Sequence, residues 1–90
     1  MPVVFGLPIT SEVLAPSSVI SPPVLGEETY GAHAMVAIGS LDGKILVRNS
    51  WGTEWGEGGY ALMDAKWFSD GWTYDMWVPS GGVEIRVEPR

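Results

Sequence analysis

The stretch that decides the fold is "AHAMVAIGSLDGKILVRNS", residues 32 to 50, in which two strand-forming runs flank a turn signal. The runs are "AHAMVAIG" (32–39) and "KILVRNS" (44–50), and Asp-Gly at 42–43 is a strong signal for a two-residue hairpin turn. We therefore predict an antiparallel hairpin. In the first run both parities are apolar or small except for His33, which predicts a strand that is covered on both faces.

Strand-like runs continue on both sides of this hairpin. They are "PVVFGLPI" (2–9), "GYALM" (59–63), "YDMWVP" (74–79) and "GVEIRVE" (82–88). About six short strands with hairpin spacing predict an all-β domain in which a small antiparallel sheet curls into a barrel.

Two segments between the strands have a different character. Residues 10–31 are rich in proline and serine without a sustained period, which predicts a long ordered loop or two short extended pieces. The segment 64–73 can hold one short helical turn, with Asp64 or Ser69 as a cap. We expect no other helix in the chain.

Composition restricts the class of function. The chain has 90 residues, a net charge of −6 and ten aromatic side chains (Trp 5, Tyr 3, Phe 2), so we expect one globular domain over residues 1–90. Five scattered Lys and Arg residues argue against nucleic acid as a partner. No apolar run approaches the roughly 18 residues of a membrane span. A strand-like run follows Met1 directly, so we expect a soluble, cytoplasmic protein without a signal peptide.

The chain contains no cysteine, which excludes disulfides, thiolate zinc sites and a thiol nucleophile within these residues. With a single histidine as well, we expect neither a metal site nor a cofactor. The acidic residues Glu27, Glu28, Glu54 and Glu57 are interpreted as solvated loop charges rather than as an acid and base pair.

The runs "GAHAMVAIG" (31–39) and "ILVRNSWGTEWGEGGYALM" (45–63) resemble the C-terminal half of papain-like cysteine peptidases, the peptidase C1 family. In that family a His on one strand and an Asn in an N-S-W-G-x-x-W-G-x-x-G-Y run complete a Cys-His-Asn triad. The runs "PVVFG" and "YDMWVP" also look like strands of bacterial members. The resemblance covers nearly the whole chain but only about half of such an enzyme. It implies a papain-like C-terminal half domain with residues 10–31 as a long loop and residues 32–63 as the His/Asn region.

The resemblance assigns roles by position in the motif. His33 matches the catalytic His, and Asn49 matches the Asn that orients it. Trp51 and Trp55 match the aromatic residues that shield the Asn and line the leaving-group side of the cleft. Ala34 is expected beside the family's substrate pocket. The nucleophilic Cys and the oxyanion Gln belong to the family's other half and have no counterpart in these residues.

The hairpin must meet a register condition if His33 and Asn49 are to share a face. A two-residue Asp-Gly turn with regular pairing would place them on opposite faces of the sheet. The family geometry therefore predicts a three- or five-residue loop, or a β-bulge, with Gly39 or Gly43 at positive φ.

Three functions remain open at this point. The first is a non-catalytic module whose vacated domain face forms a homo-oligomer, most simply a dimer, or binds a separate protein chain. The second is the His/Asn half of a split cysteine peptidase whose Cys and Gln come from another chain. The third and weakest is a stand-alone hydrolase, because neither Ser40 nor Ser50 has an obvious route to act as nucleophile. The first two readings predict no activity for the chain alone.

Overall fold

The computed structural model describes the backbone of residues 2–80 and 83–87 and the side chains of residues 2–76. Six strands form one antiparallel sheet. They are β1 (Val3–Pro8), β2 (Ala32–Leu41), β3 (Lys44–Arg48), β4 (Tyr60–Asp64), β5 (Tyr74–Ser80) and β6 (Val83–Val87). The predicted all-β class and the six strands are confirmed. Residues 82 and 88, the predicted ends of the last strand, and Met1 lie outside the described residues.

The order of strands across the sheet is β4-β3-β2-β1-β5-β6. Within the described residues β4 and β6 are therefore the edge strands, so the sheet is open and does not close into the predicted barrel. The two strands that carry the His/Asn motif, β2 and β3, lie side by side in the inner part of the sheet.

The helix α2 (Lys66–Ser69) lies in the segment where one helical turn was predicted. Asp64 stabilises its start, since Oδ1 of Asp64 accepts a hydrogen bond from the backbone N–H of Lys66 at 2.9 Å. The N-cap position itself is Ala65, which has no side-chain oxygen to offer. Asp64 thus acts from one residue before the cap position, and Ser69 is the last residue of the helix instead of its cap.

A second helix, α1 (Ser11–Leu14), was not predicted, because residues 10–31 contain no helical period. The sequence signal for this helix is a single capping residue at its start. Thr10 is the N-cap, and its hydroxyl oxygen accepts a hydrogen bond from the N–H of Val13 at 3.4 Å. The fold therefore contains two four-residue helices instead of at most one, and in the described part of the chain no helix is long and apolar enough to cross a membrane.

The hydrophobic core lies against one face of the sheet. It is formed by Phe5, Leu7, Ile9, Val13, Ile20, Met35, Val47, Trp55, Met63 and Trp67. The strand residues among them follow the two-residue period of a strand with one buried face, and each fully buried side chain contributes roughly 1.5–3 kcal/mol.

Two indoles attach the segment between β1 and β2 to the rest of the domain. The Nε1–H of Trp55 donates to the carbonyl oxygen of Val13 at 2.7 Å, and the Nε1–H of Trp67 donates to the carbonyl oxygen of Ile20 at 3.1 Å. Both bonds are buried, and buried backbone carbonyls need such partners. The long segment is therefore ordered by side chains that come from far along the chain.

The opposite face of β2, β3 and β4 is incompletely covered by the described residues. Leu41 is 63% exposed and Ile38 is 39% exposed. A groove of about 810 Å³ lies on this side, with Leu46 and Leu62 on its floor and residues 16–19 along its wall. Strand β2, which was predicted to be covered on both faces, has a dense core on one face only.

Candidate active site

The β2–β3 hairpin closes on a two-residue turn. Leu41 pairs with Lys44, and the two turn residues, Asp42 and Gly43, have φ values of 51° and 75°. Positive φ at both positions is the pattern of a type I′ turn, which glycine adopts without steric cost and aspartate tolerates. The positive φ predicted at Gly39 or Gly43 is thus found at Gly43.

The register condition is met by one extra residue in β2. Ala37 pairs with Val47 and Gly39 pairs with Leu46, so Ile38 lies between two ladder pairs without a partner of its own. This is a β-bulge, which advances one strand by one residue relative to its neighbour. The predicted bulge is confirmed, and it brings His33 to the same face of the hairpin as the residue that follows β3.

That residue is Asn49, and its amide contacts the imidazole directly. Nε2 of His33 lies 2.7 Å from Oδ1 of Asn49. The same Oδ1 accepts a hydrogen bond from the backbone N–H of Ser50, also at 2.7 Å. A backbone N–H can only donate, so this second bond fixes the oxygen of the amide, not its nitrogen, next to the imidazole. In the neutral ring Nε2 therefore carries the hydrogen, and Nδ1 keeps the lone pair.

The amide of Asn49 is shielded from water. Asn49 is only 6% exposed, and its Nδ2 is buried without a hydrogen-bond partner among the described residues. A hydrogen bond in such a water-poor environment is stronger than one in solvent. Asn49 is thus shielded from water in the fold, and its role as the orienting Asn stays a prediction.

An indole stacks directly on the imidazole. The ring centroids of His33 and Trp51 are 4.4 Å apart with an angle of 20° between the planes. Trp51 was assigned to shield the Asn, and its ring contact in the structure is with the imidazole. Trp55 and Trp51 form a T-shaped contact with the centroids 6.4 Å apart and the planes at 82°. The four motif residues His33, Asn49, Trp51 and Trp55 therefore form one connected group.

Ala34 lies apart from this group. It is exposed and pairs with Gly6 across β1 and β2, on the opposite face of β2 from His33. The assignment of Ala34 to a substrate pocket stays a prediction.

The four acidic residues that were interpreted as solvated loop charges differ in their surroundings. Glu28, Glu54 and Glu57 are exposed, as expected for solvated charges. Glu27 is half-buried, and its Oε1 accepts a hydrogen bond from the N–H of Val24, so it stabilises a local turn. No group of three His, Cys, Asp or Glu side chains that could hold a metal ion occurs in the described part of the chain.

Sequence reasoning also missed a close contact on the other face of the sheet, beside Ala34. The ring of Tyr74 packs on Gly6, where an added Cβ would lie 2.5 Å from Cε1 of the tyrosine. Burial, and to a smaller extent the carboxylate of Asp75, raise the pKa of Tyr74 above its ordinary value of 10.0. Glycine inside a strand often marks such a close approach, and this was the one signal available.

The comparison with known protein families gives the same family as the sequence motifs. The chain belongs to the papain family of cysteine proteases, whose family model matches residues 5–73. The resemblance that the sequence motifs predicted is therefore confirmed.

Matches to three relatives show what share of the length of a related protein this chain covers. It is 32% identical over 84 residues to the uncharacterized peptidase C1-like protein L477 of Acanthamoeba polyphaga mimivirus, a match that covers 86% of this chain and 27% of that protein. It is 57% identical over 28 residues to papain of Carica papaya, covering 31% of this chain and 8% of papain. It is 57% identical over 41 residues to the KDEL-tailed cysteine endopeptidase CEP2 of Arabidopsis thaliana, covering 43% and 11%. The chain thus spans about a quarter or less of the length of these curated relatives.

Proposed function

We propose that this chain supplies the general base and its orienting amide to a papain-type peptidase site, and that the thiol nucleophile comes from outside these 90 residues. The observation that carries the proposal is the contact of 2.7 Å between Nε2 of His33 and Oδ1 of Asn49. The bond fixes the imidazole with Nδ1 as the available base, the state that a thiol beside Nδ1 requires.

The chemistry follows from this arrangement. A thiol placed beside Nδ1 transfers its proton to the imidazole, and the resulting imidazolium is stabilised by the hydrogen bond to Asn49. The thiolate then attacks the carbonyl carbon of a peptide, and the imidazolium returns a proton to the leaving amine. Trp51 covers one side of the ring throughout and limits the access of water to the hydrogen bond.

Neither Ser50 nor Ser40 offers a replacement for the thiol. The backbone N–H of Ser50 is bound to the same Oδ1 that His33 contacts, and Ser50 comes directly after Asn49 in the chain. Ser40 lies seven residues along β2 from His33, beyond the bulge. We therefore expect no peptidase activity from the chain by itself.

Complementation tests the proposal. The chain is mixed with a cysteine-bearing N-terminal half domain of a papain-family peptidase, and cleavage of a fluorogenic peptide is followed. We expect cleavage that a thiol alkylating agent abolishes, that the His33→Ala variant cannot support, and that the Ser40→Ala control supports fully. Absence of cleavage from a mixture in which the two halves demonstrably associate would contradict the proposal.

A second candidate function is a non-catalytic module that self-associates, most simply as a dimer, or binds a separate protein chain. The observation in its favour is the incompletely covered outer face of β2, β3 and β4 with its groove of about 810 Å³. Light scattering over a concentration series tests self-association. A monomer at the highest concentration would remove the homo-oligomer from consideration.

A further inference from the structure

We propose that the segment at α1 positions His33: the buried carbonyl of Val13 fixes the indole of Trp55, and Trp55 holds Trp51 in its stack on the imidazole. This inference rests on the proposed role of His33 as a base. The contacts themselves, however, can be measured without any enzymatic activity. The described hydrogen bonds and ring contacts of the imidazole are with Asn49 and Trp51, so we infer that α1 acts on it through the two indoles.

The first contact fixes the orientation of Trp55. An indole has a single hydrogen-bond donor, and that of Trp55 is 2.7 Å from the carbonyl oxygen of Val13. Both residues are buried, so neither the N–H nor the carbonyl can turn to water as an alternative partner. Rotation of this indole would break the bond and leave both groups without a partner.

The second contact, between Trp55 and Trp51, makes the position of Trp51 over His33 depend on the orientation of Trp55. Trp55 and Trp51 meet in a T-shaped contact with an angle of 82° between the planes, and Trp51 stacks on His33 at 20°. Aromatic contacts of these two kinds depend on the relative orientation of the rings. Trp51 is 40% exposed, so solvent occupies much of its surroundings and Trp55 is an important part of what limits its motion.

The third contact fixes Val13 itself. Its N–H donates to the hydroxyl oxygen of Thr10 at 3.4 Å, and the side chain of Thr10 is buried. The peptide groups on both sides of Val13 are therefore engaged, one by the cap and one by the indole. Thr10 touches no reacting group, so we infer that it is a positioning residue that acts through Val13.

We call the series of contacts from Val13 through the two indoles to His33 the positioning relay. The chain offers a matched control for this relay. The indole of Trp67 also donates to a buried backbone carbonyl, that of Ile20, at 3.1 Å. Trp67 is buried, as Trp55 is, but no ring contact joins it to Trp51 or His33 in the described part of the chain. Loss of its hydrogen bond should lower the stability of the domain without reaching the imidazole.

The experiment compares Trp55→Phe with Trp67→Phe by NMR. The chain contains one histidine, so its carbon-bound imidazole protons are assigned without ambiguity. We expect the signals of His33 to move in Trp55→Phe towards their positions in the unfolded chain, because the ring current of Trp51 is no longer held over them. In folded Trp67→Phe they should stay in place. Unmoved signals in Trp55→Phe, or equal movement in both variants, would overturn the proposal.

Thr10 provides the second pair of variants, in which both indole side chains are retained in the sequence. Thr10→Val removes the hydroxyl and should shift the His33 signals in the same direction as Trp55→Phe, whereas Thr10→Ser keeps the hydroxyl and should not. The double variant should shift the signals no further than Trp55→Phe alone, since both changes act on one relay. Additive shifts, or no shift in Thr10→Val, would contradict the role of Thr10.

Complementation with a cysteine-bearing half separates this inference from the proposed function. In an active mixture we expect Trp55→Phe to lower kcat/KM by about 10²-fold, the size of effect that a misplaced catalytic group produces. Trp67→Phe should retain the wild-type value. If the wild-type mixture is inactive while the NMR shifts occur as expected, the proposed function fails and the positioning relay stands.

Discussion

Nε2 of His33 and Oδ1 of Asn49 lie 2.7 Å apart although sixteen residues and a complete hairpin turn separate them along the chain. Two local features produce this contact. The bulge at Ile38 corrects the register of β2, and the backbone N–H of Ser50 holds the amide oxygen towards the imidazole. The contact therefore reports on both the register of the sheet and the conformation of the loop that follows β3.

Asn49→Ala should remove the hydrogen bond that keeps the hydrogen of the neutral His33 imidazole on Nε2. With Oδ1 present, Nε2 carries the hydrogen. Without it, only the weaker intrinsic preference of the neutral ring for that form remains, so a minor Nδ1–H fraction should appear in the ¹⁵N spectrum of the imidazole. Asn49→Asp keeps an acceptor at the same position and should keep the hydrogen on Nε2. In a complemented mixture, we expect Asn49→Ala to lower kcat/KM by about 10²-fold, the lower end of what a positioned base contributes. An unchanged spectrum in Asn49→Ala would contradict the assigned tautomer.

Deletion of Ile38 should leave the contact between His33 and Asn49 intact. The ladder pairs on either side of the bulge, Ala37 with Val47 and Gly39 with Leu46, become consecutive when the unpaired residue is removed. The hairpin then continues as a regular ladder onto its two-residue turn, with every existing pair preserved. The imidazole signals of His33 should keep their positions in the deletion variant and in Ile38→Ala. Movement in a deletion variant that still folds would show that the bulge supports the site in a way other than by register.

The hairpin and its pairing were predictable because they depend on local sequence. Asp-Gly is a turn signal, and the alternation of apolar residues sets the faces of β2 and β3. The need for a bulge follows from counting residues between His33 and Asn49. The position of the bulge at Ile38 was not predictable, because Ile38 and its neighbours offer similar apolar side chains on both parities.

The contacts of the segment between β1 and β2 were beyond sequence reasoning for a different reason. Helix α1 depends on a single cap, Thr10, and on the hydrogen bond that Trp55 donates to Val13 from 42 residues away. Four helical residues have too little local preference to be recognised without that tertiary contact. The stacking of Trp51 on the imidazole was equally hidden, since the motif places the two residues near each other but does not orient their rings.

Gly6→Ala should destabilise the domain, since the added Cβ would lie 2.5 Å and 2.7 Å from two ring carbons of Tyr74. Overpacking of this kind costs about 1–3 kcal/mol, measured as the loss in the free energy of unfolding in urea. Gly39→Ala is the matched control in a neighbouring strand, because nothing lies within 4 Å of its added Cβ and its φ is not in the left-handed region. We expect its effect to stay within about 0.5 kcal/mol. Equal stabilities for the two variants would mean that Tyr74 moves aside without cost.

Stability at high pH should depend on Tyr74. Burial of the phenol, and secondarily the carboxylate of Asp75, raise the pKa of Tyr74 above 10.0, so the folded chain holds this proton more tightly than the unfolded chain does. The corresponding stabilisation is fully present below the pKa of the unfolded chain, near pH 10, and is lost as the pH rises through the higher pKa of the folded chain. The free energy of unfolding should therefore fall over this range.

Tyr74→Phe should lack this part of the pH dependence, and Asp75→Asn should lower the pKa of Tyr74 towards the ordinary value. The chain has three tyrosines, so the difference in tyrosinate absorbance between wild type and Tyr74→Phe isolates the titration of this one phenol. Urea unfolding of both proteins across the same pH range then measures the linked change in stability. A midpoint for Tyr74 equal to that of the unfolded chain would remove the linkage, and a lower one would reverse its sign; either would contradict the conclusion that the folded chain favours the neutral phenol.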